Sequence, residues 1–362
     1  MSNKKKLDYV SQKKVRSIKC DYLFLLGERS NGKSYCAKSI CVQQAIDRGE
    51  MFIYLRRYDL DTKDSLCVSY FADLPIQNMT NGEYTVIDVF RKAIWLGNLN
   101  KETGKVMRQK KIGFCHALSA SEHYKSLQFP EVQNILYEEV LPKNGQYLAG
   151  KNEPDLLQHY VSTIFRNRKG KVYLVGNLLT RICPYYSAWH LERAARQELG
   201  SIEHYTFHND NGEDTDLAIY MTDSLNYNSG MFFGKSADNI TKGGYETEPQ
   251  PHLPKSVREY NVIYDMVLQY DYTMFYMQLL QDKKEANNIV WYVTPKTSPI
   301  KKGSRVVSTE FQADPMYSRF LVGLTAMEES IFSMIRLGKI CFSDDLTGTE
   351  FYSVLQHFTS RR

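Results

Sequence analysis

Short apolar runs alternate with helical patterns along the first half of the chain. The run YLFLL at 22–26 leads into a polar loop with two glycines, then a helical pattern from Lys33 to about Arg48 that Gly49 ends, then MFIYLRR at 51–57. Strand, loop, helix and strand in this order predict a βαβ unit of a parallel sheet. Because the runs are long and carry few charges, we expect both faces of the sheet to be covered. Further strands are predicted at 84–89, 93–99, 112–118, 134–140 and 171–177, and a further helix at about 155–168.

The second half begins with a change of composition. Residues 234–256 are rich in glycine, proline and polar residues without apolar periodicity, which is typical of a linker. Beyond it, the pattern predicts strands within 261–280 and 289–295, a helix from Asp314–Pro315 to Gly338, and a last helix for which TGTE at 347–350 is a capping box. A chain of 362 residues is expected to form two domains. The predicted segments are an arm at 1–20, an α/β domain at 21–233, a linker at 234–256 and a small α+β domain at 257–362.

Charge and cysteine content restrict the class of protein. The formal net charge is +5, and the first 19 residues hold seven basic residues against Asp8, so the rest is nearly neutral. Such an arm is most often a solvated, partly disordered tail, although it can also neutralise phosphates or bind a partner. Seven scattered cysteines without C-x-x-C spacing fit a reduced, intracellular compartment without structural zinc. The sequence predicts a soluble protein with no membrane span and no signal peptide.

The polar loop after the first strand carries the strongest chemical signal. Gly27, Gly32, Lys33 and Ser34 match G-x-x-x-x-G-K-[ST], with the required strand before and helix after. Backbone N–H groups of such a loop surround phosphates, the lysine contacts the β- and γ-phosphates, and the serine hydroxyl is a ligand for Mg²⁺. The alternative is a glycine turn with an exposed lysine. The predicted nucleotide-binding residues are Gly27, Glu28, Arg29, Ser30, Asn31, Gly32, Lys33, Ser34 and Tyr35.

Two adjacent glutamates follow an apolar strand and are candidates for the hydrolytic step. Hydrolysis requires one carboxylate near Mg²⁺ and another that orients or deprotonates water. NILYEEV places Glu138 and Glu139 at a strand end, where successive side chains point in opposite directions. We expect Glu138 to reach the metal, through water or in a shifted position because it replaces the usual aspartate, and Glu139 to reach the water. The alternative is a solvated acidic pair.

With these elements in order, the chain resembles the DNA-packaging ATPases of phi-29-like bacteriophages, within the class of ring-forming P-loop motors that includes FtsK/HerA translocases and terminase large subunits. LGERSNGKSY, GEMFIYLRRY, FPEVQNILYEEV and STIFRNRKGKVYLVGNLLTRICPYY carry the resemblance, which covers the predicted α/β domain; the arm and the C-terminal domain match only loosely. The resemblance implies a RecA-like ASCE P-loop NTPase domain with a mostly parallel sheet, followed by a vestigial RNase H-like α+β domain.

The resemblance also implies roles for single residues. Arg166 in FRNR matches an arginine finger that reaches the neighbouring subunit's ATP, and Lys125 a lysine that acts beside it. Asn177 matches a sensor of the γ-phosphate, and Arg29 an arginine of the loop. Without the family, Arg166 is equally a helix-terminal arginine, Lys125 a surface lysine and Asn177 a strand-ending residue. The predicted catalytic residues are Lys33, Lys125, Glu139, Arg166 and Asn177, and the predicted metal ligands are Ser34 and Glu138.

The activity implied is ATP-driven, Mg²⁺-dependent translocation of double-stranded DNA into a procapsid. The implied partners are DNA, further copies of the chain in a homo-oligomeric ring that is a pentamer in the family, the capsid portal and a packaging RNA. The implied location is the host cytoplasm, transiently the portal vertex. The alternatives are a terminase-type motor that also cleaves DNA, with Asp265, Asp271, Asp344, Asp345 and Glu350 as its acids, and a nucleotide-dependent scaffold with little turnover.

A basic segment between two predicted strands is the candidate DNA contact of the α/β domain. Residues 101–111, KETGKVMRQKK, are predicted to be an exposed hairpin tip. Basic loops that face a channel would hold the phosphate backbone without reading its sequence. A solvated loop without such a role is the alternative. The predicted DNA-binding residues are Lys101, Lys105, Arg108, Lys110 and Lys111.

Overall fold

The computed structural model describes the chain in two compact units. The described residues are 9–142, 147–148, 153–178, 183–191, 193–194, 197–208, 212–222, 249–270, 273–296, 300, 303–308, 317–319 and 326–359. Residues 1–179 with 183–244 form the first unit, and residues 180–182 with 245–362 form the second. Within the described part of the chain, no helix has both the length and the apolar character needed to cross a membrane. The predicted bounds of arm, α/β domain, linker and C-terminal domain stay predictions, and residues 234–248 of the linker lie outside the described residues.

The first unit contains a nine-stranded sheet in the order β3-β4-β5-β2-β6-β7-β1-β9-β8. The six central strands β5, β2, β6, β7, β1 and β9 are parallel. At the two sides, β4 and β8 run antiparallel to them, and β3 pairs antiparallel with β4. This arrangement confirms an α/β fold. The strands are β1 (Tyr22–Gly27), β2 (Met51–Arg56), β3 (Val86–Phe90), β4 (Ala93–Leu99), β5 (Val106–Ala117), β6 (Val132–Glu138), β7 (Lys171–Asn177), β8 (Ile202–His208) and β9 (Asp214–Thr222). The helices are α1 (Gln12–Ser17), α2 (Lys33–Arg48), α3 (Asp64–Phe71), α4 (Ile76–Met79), α5 (Glu153–Phe165) and α6 (Pro184–Ala188), with 3₁₀ helices at Asp59–Thr62 and Leu118–Tyr124.

The central strands are buried because their side chains are apolar on both faces, as expected for a covered parallel sheet. Helix α2 begins after Gly32 and ends before Gly49, both in the left-handed conformation. Glycine adopts this conformation at little cost, which is why the helix has the predicted bounds.

Three predictions in this unit were wrong in detail. The basic arm is not a solvated tail over its described part, because α1 packs on the core through Val15 and Ile18, which are almost fully buried. Strand β5 begins at Val106, inside the segment predicted as a hairpin tip. Strand β6 ends at Glu138, so Glu139 lies beyond the strand.

The second unit contains a six-stranded sheet in the order β14-β13-β10-β11-β12-β15. Its core is formed by aromatic and aliphatic side chains of the sheet and the last helix, among them Phe275, Trp291, Phe342 and Phe351. The elements are β10 (Tyr260–Tyr270), β11 (Thr273–Asp282), β12 (Ile289–Pro295), β13 (Val306–Ser308), β14 (Tyr317–Arg319), β15 (Ile340–Phe342), α7 (Ala326–Arg336), α8 (Asp345–Thr359) and a 3₁₀ helix at Val257–Glu259.

The helix predictions in this unit were wrong at their starts. Tyr317–Arg319, inside the helix predicted from 314, is a strand, and the described helix is α7 at Ala326–Arg336. The last helix begins at Asp345, before the predicted capping box. Its cap is Asp344, whose Oδ1 accepts a hydrogen bond from the backbone N–H of Thr347 at 2.8 Å. An aspartate before the first turn satisfies a free N–H group there, so Thr347 lies within the helix.

Candidate nucleotide-binding and hydrolysis site

Strand register brings polar residues to the phosphate loop. Gly27, the last residue of β1, is paired with Asn177 at the end of β7 and with Thr222 at the end of β9. A Cβ atom at Gly27 would lie 2.1 Å from Oγ1 of Thr222, so only glycine fits between these strands. The carboxyl ends of three parallel strands therefore form one polar edge at the start of the loop.

Asn31 fixes the shape of the loop. Its Nδ2 donates to Oγ1 of Thr222 at 2.6 Å, and Thr222 donates in turn to the backbone oxygen of Leu26 at 2.8 Å. The side chain of Asn31 is almost fully buried. Its Oδ1 accepts hydrogen bonds from the backbone N–H of Lys33 at 3.4 Å and from Nζ of Lys33 at 3.0 Å. The loop is thus tied to β9 at one side and to the start of α2 at the other.

The ammonium group of Lys33 lies within the loop. Its Nζ donates to the backbone oxygen of Gly27 at 3.2 Å, to the backbone oxygen of Glu28, and to Oδ1 of Asn177 at 3.3 Å. Burial lowers the pKa of Lys33 to about 8, while the nearby Glu138 carboxylate acts in the opposite direction. A bound phosphate would favour the charged form of this lysine in the same way.

A buried carboxylate lies opposite the serine of the loop. The hydroxyl of Ser34 donates to Oε2 of Glu138 at 3.1 Å, and the hydroxyl of Tyr70 donates to Oε1 at 2.6 Å. Burial raises the pKa of Glu138, and these two hydrogen bonds oppose the shift. Glu138 therefore contacts the loop serine directly, although its side chain is longer than that of the usual aspartate.

The ligand chemistry at this point fits Mg²⁺. The hydroxyl of Ser34 and the carboxylate of Glu138 are oxygen donors already within hydrogen-bond distance of each other. Mg²⁺ prefers one or two such protein oxygens together with water and phosphate oxygens. These two residues are the ones that would hold the ion.

Glu139 is in an unusual backbone conformation just after β6. Its φ is +59°, in the left-handed region that non-glycine residues seldom adopt. Its side chain is 62% exposed, and Oε2 accepts a hydrogen bond from Nη2 of Arg56 at 2.7 Å. Arg56 is also 3.7 Å from Oδ2 of Asp61. The exposed glutamate thus points away from the protein interior and is held by an arginine at the end of β2.

Arg57, which follows Arg56 at the end of β2, holds the backbone of the turn at Glu139. Its guanidinium donates to the carbonyl of Glu139 at 2.9 Å and to the carbonyl of Val140 at 3.0 Å. It also forms a two-bond ion pair with Glu153, at 2.8 and 2.9 Å, and both side chains are almost fully buried. Glu153 further accepts hydrogen bonds from the hydroxyls of Tyr137 and Tyr185. A buried, fully hydrogen-bonded ion pair therefore supports the strained turn that presents Glu139.

Arg166 does not lie beside the loop of its own chain. It follows α5 and precedes β7, its φ is +53°, and its Nη2 donates to the carbonyl of Leu127. Nearby, Arg168 donates to the carbonyls of Pro130 and Val132, where β6 begins. Arg166 is therefore at the edge where the strands start, about 20 Å along a seven-residue strand from the edge that carries Asn177.

Lys125 belongs to the segment that leads to the same edge. It directly follows the 3₁₀ helix Leu118–Tyr124, is exposed, and its Nζ lies 2.7 Å from Oε2 of Glu122. It precedes Leu127, the partner of Arg166, by two residues. The structure thus brings Lys33, Ser34, Glu138 and Asn177 together, and places Lys125 and Arg166 apart from them.

The basic hairpin has two kinds of positive residue. Lys101 and Lys105 are exposed in the turn between β4 and β5. The other three lie along β5, where Arg108 pairs with Asp88 at 2.6 Å, Lys110 donates to the carbonyl of Ile46 and Lys111 lies over the ring of Phe114. Because β5 is parallel to β2, this turn is at the edge where the central strands begin. Their role in binding DNA stays a prediction.

The remaining loop residues differ in exposure. Arg29, Ser30 and Tyr35 are exposed, and Glu28 is half-buried. Sequence reasoning missed the contacts of Arg56, Arg57, Tyr70 and Thr222. The one available signal was the pair of arginines directly after the buried run MFIYL, because charged residues at the carboxyl end of a parallel strand lie at the edge where sites form.

The first half of the chain matches a known protein family. The model of the Podovirus DNA encapsidation protein (Gp16) family matches residues 4–199, more than half of the chain. The chain belongs to this family. The phosphate loop, both glutamates, Arg166 and Asn177 all lie within the region that the family model matches.

Individual relatives within this family are packaging proteins of Bacillus phages. The DNA packaging protein of phage B103 is 31% identical over 166 residues, 45% of this chain and 46% of that protein. The DNA packaging protein of phage phi29 is 28% identical over 171 residues, 46% of each chain. The match thus spans about half the length of these relatives. A chain of the bacteriophage phi-29 genome packaging motor assembly has the same fold, with a TM-score of 0.59, 19% identity, and coverage of 97% of this chain and 99% of that one.

Proposed function

We propose that this chain is an ATPase subunit that drives double-stranded DNA into a phage procapsid. The observation that carries the proposal is the convergence of Lys33, Ser34, Glu138 and Asn177 at one edge of the sheet, with Glu139 exposed beside them. A phosphate loop alone indicates nucleotide binding. A second, exposed carboxylate at the γ-phosphate end adds a base for hydrolysis. Membership of the encapsidation family supports DNA as the load.

In this proposal, the loop holds the triphosphate through its backbone N–H groups and Lys33, and Asn177 reports the γ-phosphate to β7. When bound by Ser34 and Glu138, Mg²⁺ would neutralise charge on the phosphates. Glu139 orients the attacking water and accepts its proton. Before it can do so, its carboxylate must leave Arg56, which competes for the same oxygen. The Arg56 contact therefore suppresses hydrolysis until the site is complete.

The position of Arg166 supports a role in trans. The edge of the sheet on which it lies is about 20 Å from its own loop, so it can contribute only to a neighbouring copy's nucleotide. We propose that Lys125 acts beside it, and that the copies form a closed ring, a pentamer as in the family, at the portal vertex in the host cytoplasm. DNA contacts Lys101, Lys105, Arg108, Lys110 and Lys111. A packaging RNA takes part in docking the ring to the capsid portal. We also propose that the first unit is a RecA-like domain and that the second is a vestigial RNase H-like domain.

The test is an ATPase assay with and without double-stranded DNA. Wild-type protein should hydrolyse ATP faster when DNA is present, and Lys33→Ala should lose this activity. A nucleotide-dependent scaffold would bind ATP without DNA-dependent phosphate release, and that result would contradict the proposal.

A mixing experiment tests the role in trans. Arg166→Ala and Lys33→Ala subunits should each be inactive as uniform rings. A mixed ring contains interfaces that pair an intact loop with an intact arginine, so some activity should return. If no mixing ratio restores hydrolysis, Arg166 does not act in trans.

A further inference from the structure

The polypeptide before α1 lies across the phosphate loop. The backbone N–H of Val10 donates to the carbonyl of Asn31 at 3.1 Å, and Val10 is 8% exposed. Helix α1 follows at once, with Val15 fully buried and Nζ of Lys14 4.3 Å from the ring centroid of Tyr220. These contacts fix the position of Tyr9, the first described residue, relative to the loop.

The ring of Tyr9 packs on the glycine that begins α2. A Cβ atom at Gly32 would lie 3.0 Å from Cδ1 and 3.2 Å from Cβ of Tyr9. Gly32 thus allows close approach of the ring as well as the left-handed turn of the loop. Tyr9 nevertheless remains 57% exposed. An anchored aromatic ring with a large open surface therefore borders the start of α2.

The direction of a bound nucleotide leads past this ring. Lys33 and Glu138 lie at the carboxyl ends of β1 and β6, where they would hold the terminal phosphates of a nucleotide. The α-phosphate would then be held at the N-terminus of α2, with the nucleoside beyond that turn. The described aromatic rings at this point are Tyr9, packed on Gly32, and Tyr35, which is 39% exposed.

We propose that Tyr9 is the platform on which the base of the bound nucleotide stacks. The inference rests on the proposed function, because it assumes that the loop binds a nucleoside triphosphate. Stacking of an aromatic side chain on a base is favourable for any base, since every base has a π face. Tyr9 thus contributes to the affinity for the nucleoside and contributes little to the affinity for the phosphates.

The experiment compares two ligands by calorimetry: Mg-ATP, which carries a base, and inorganic Mg-triphosphate, which does not. Tyr9→Ala should weaken ATP binding about tenfold or more, the size expected for one stacked base, and leave triphosphate binding unchanged. Tyr9→Phe keeps the ring and should keep wild-type affinity for both. The matched control is Phe90→Ala, which removes a ring of similar exposure, 44%, on β3 at the far side of the sheet.

Each outcome separates the two proposals. Unchanged ATP affinity in Tyr9→Ala overturns the stacking role. Equal losses of ATP and triphosphate also overturn it, because they mean that the ring only supports the loop. If wild-type protein binds ATP but shows no DNA-dependent hydrolysis, the proposed function fails while the stacking result still stands. Binding of neither ligand by wild-type protein would reject the nucleotide site itself.

Discussion

The two sheets of this protein use their acidic residues in different ways. In the first unit, Glu138 is buried against the loop serine and Glu139 is exposed at the next position, both at the end of a parallel strand. In the second unit, Asp265 accepts a hydrogen bond from the hydroxyl of Tyr276 at 2.5 Å, and Asp344 caps α8. Asp271 lies outside the described residues.

Strand direction explains this difference. Parallel strands bring all their carboxyl ends to one edge, so β1, β6, β7 and β9 can supply residues to a single site. The long strands β10, β11 and β12 are antiparallel, so strand ends alternate with strand starts along each edge. Within the described residues, no group of three or more His, Cys, Asp or Glu side chains is arranged to hold a metal. Asp265 and Asp344 have local structural partners instead.

The sharpest test of this comparison is neutralisation of acids in each unit. Glu139→Gln should lower kcat of the DNA-stimulated ATPase by about 10²- to 10⁴-fold with ATP binding retained, because the base is lost and the loop is intact. The double variant Asp265→Asn, Asp344→Asn should change kcat by less than about twofold, which is within assay error. Steady-state kinetics measures both. If the second-unit double variant lost turnover, or if wild-type protein cut plasmid DNA with Mn²⁺ and that variant did not, the second unit would hold a working site.

The buried pair beneath Glu139 gives the next largest effect. Arg57→Met leaves Glu153 buried without its charged partner, which should lower the free energy of unfolding by about 3–5 kcal/mol. Arg108→Met removes a more exposed pair with Asp88 and should cost about 0–1 kcal/mol. Urea unfolding of both variants measures the difference. Equal losses of stability in the two variants would mean that the buried Arg57–Glu153 pair stabilises the fold no more than an exposed pair does.

Arg29 tests whether the phosphate loop links ATP hydrolysis to DNA in addition to binding the nucleotide. It is exposed in the loop, whereas Asn31 and Lys33 are buried. We expect Arg29→Ala to bind ATP within about twofold of wild type while losing most of the stimulation by DNA, since a surface side chain contributes little to folding. ATP titration and phosphate release measure the two properties. Full DNA stimulation in the variant would make Arg29 a variable loop position.

The cap of α8 should give the smallest effect. Asp344→Ala removes the acceptor of the Thr347 N–H and should lower the free energy of unfolding of the second unit by about 1 kcal/mol. Asp344→Asn should lose less, because an asparagine side chain also caps helices. Denaturation is followed by tryptophan fluorescence in a background with Trp95→Phe and Trp189→Phe, so that Trp291 alone reports on this unit. A gain in stability from Asp344→Asn would point instead to repulsion between acids, as in an unfilled metal site.

Local pattern was sufficient for much of the first unit. G-x-x-x-x-G-K-S, the flanking apolar runs and Gly49 identified β1, the loop and α2 to within one residue of their observed bounds, because these features depend on the conformations of nearby residues. Strand ends were predicted less well. The run NILYEEV predicts a strand as far as Val140, but the left-handed turn at Glu139 ends β6 at the buried Glu138.

The sequence by itself determined the phosphate loop, the order of β1 to β7 along the chain and the identity of the two glutamates, but not β8 and β9. Tertiary structure alone decided which strands are neighbours, and therefore that Asn177 and Thr222 border Gly27 and that Arg56 holds Glu139. It also decided that Arg166 is on the opposite edge of the sheet and that Tyr9 covers Gly32. The physical reason is that local pattern reports only the conformation of nearby residues. Contacts between residues far apart in the chain depend on the register and direction in which the strands pair.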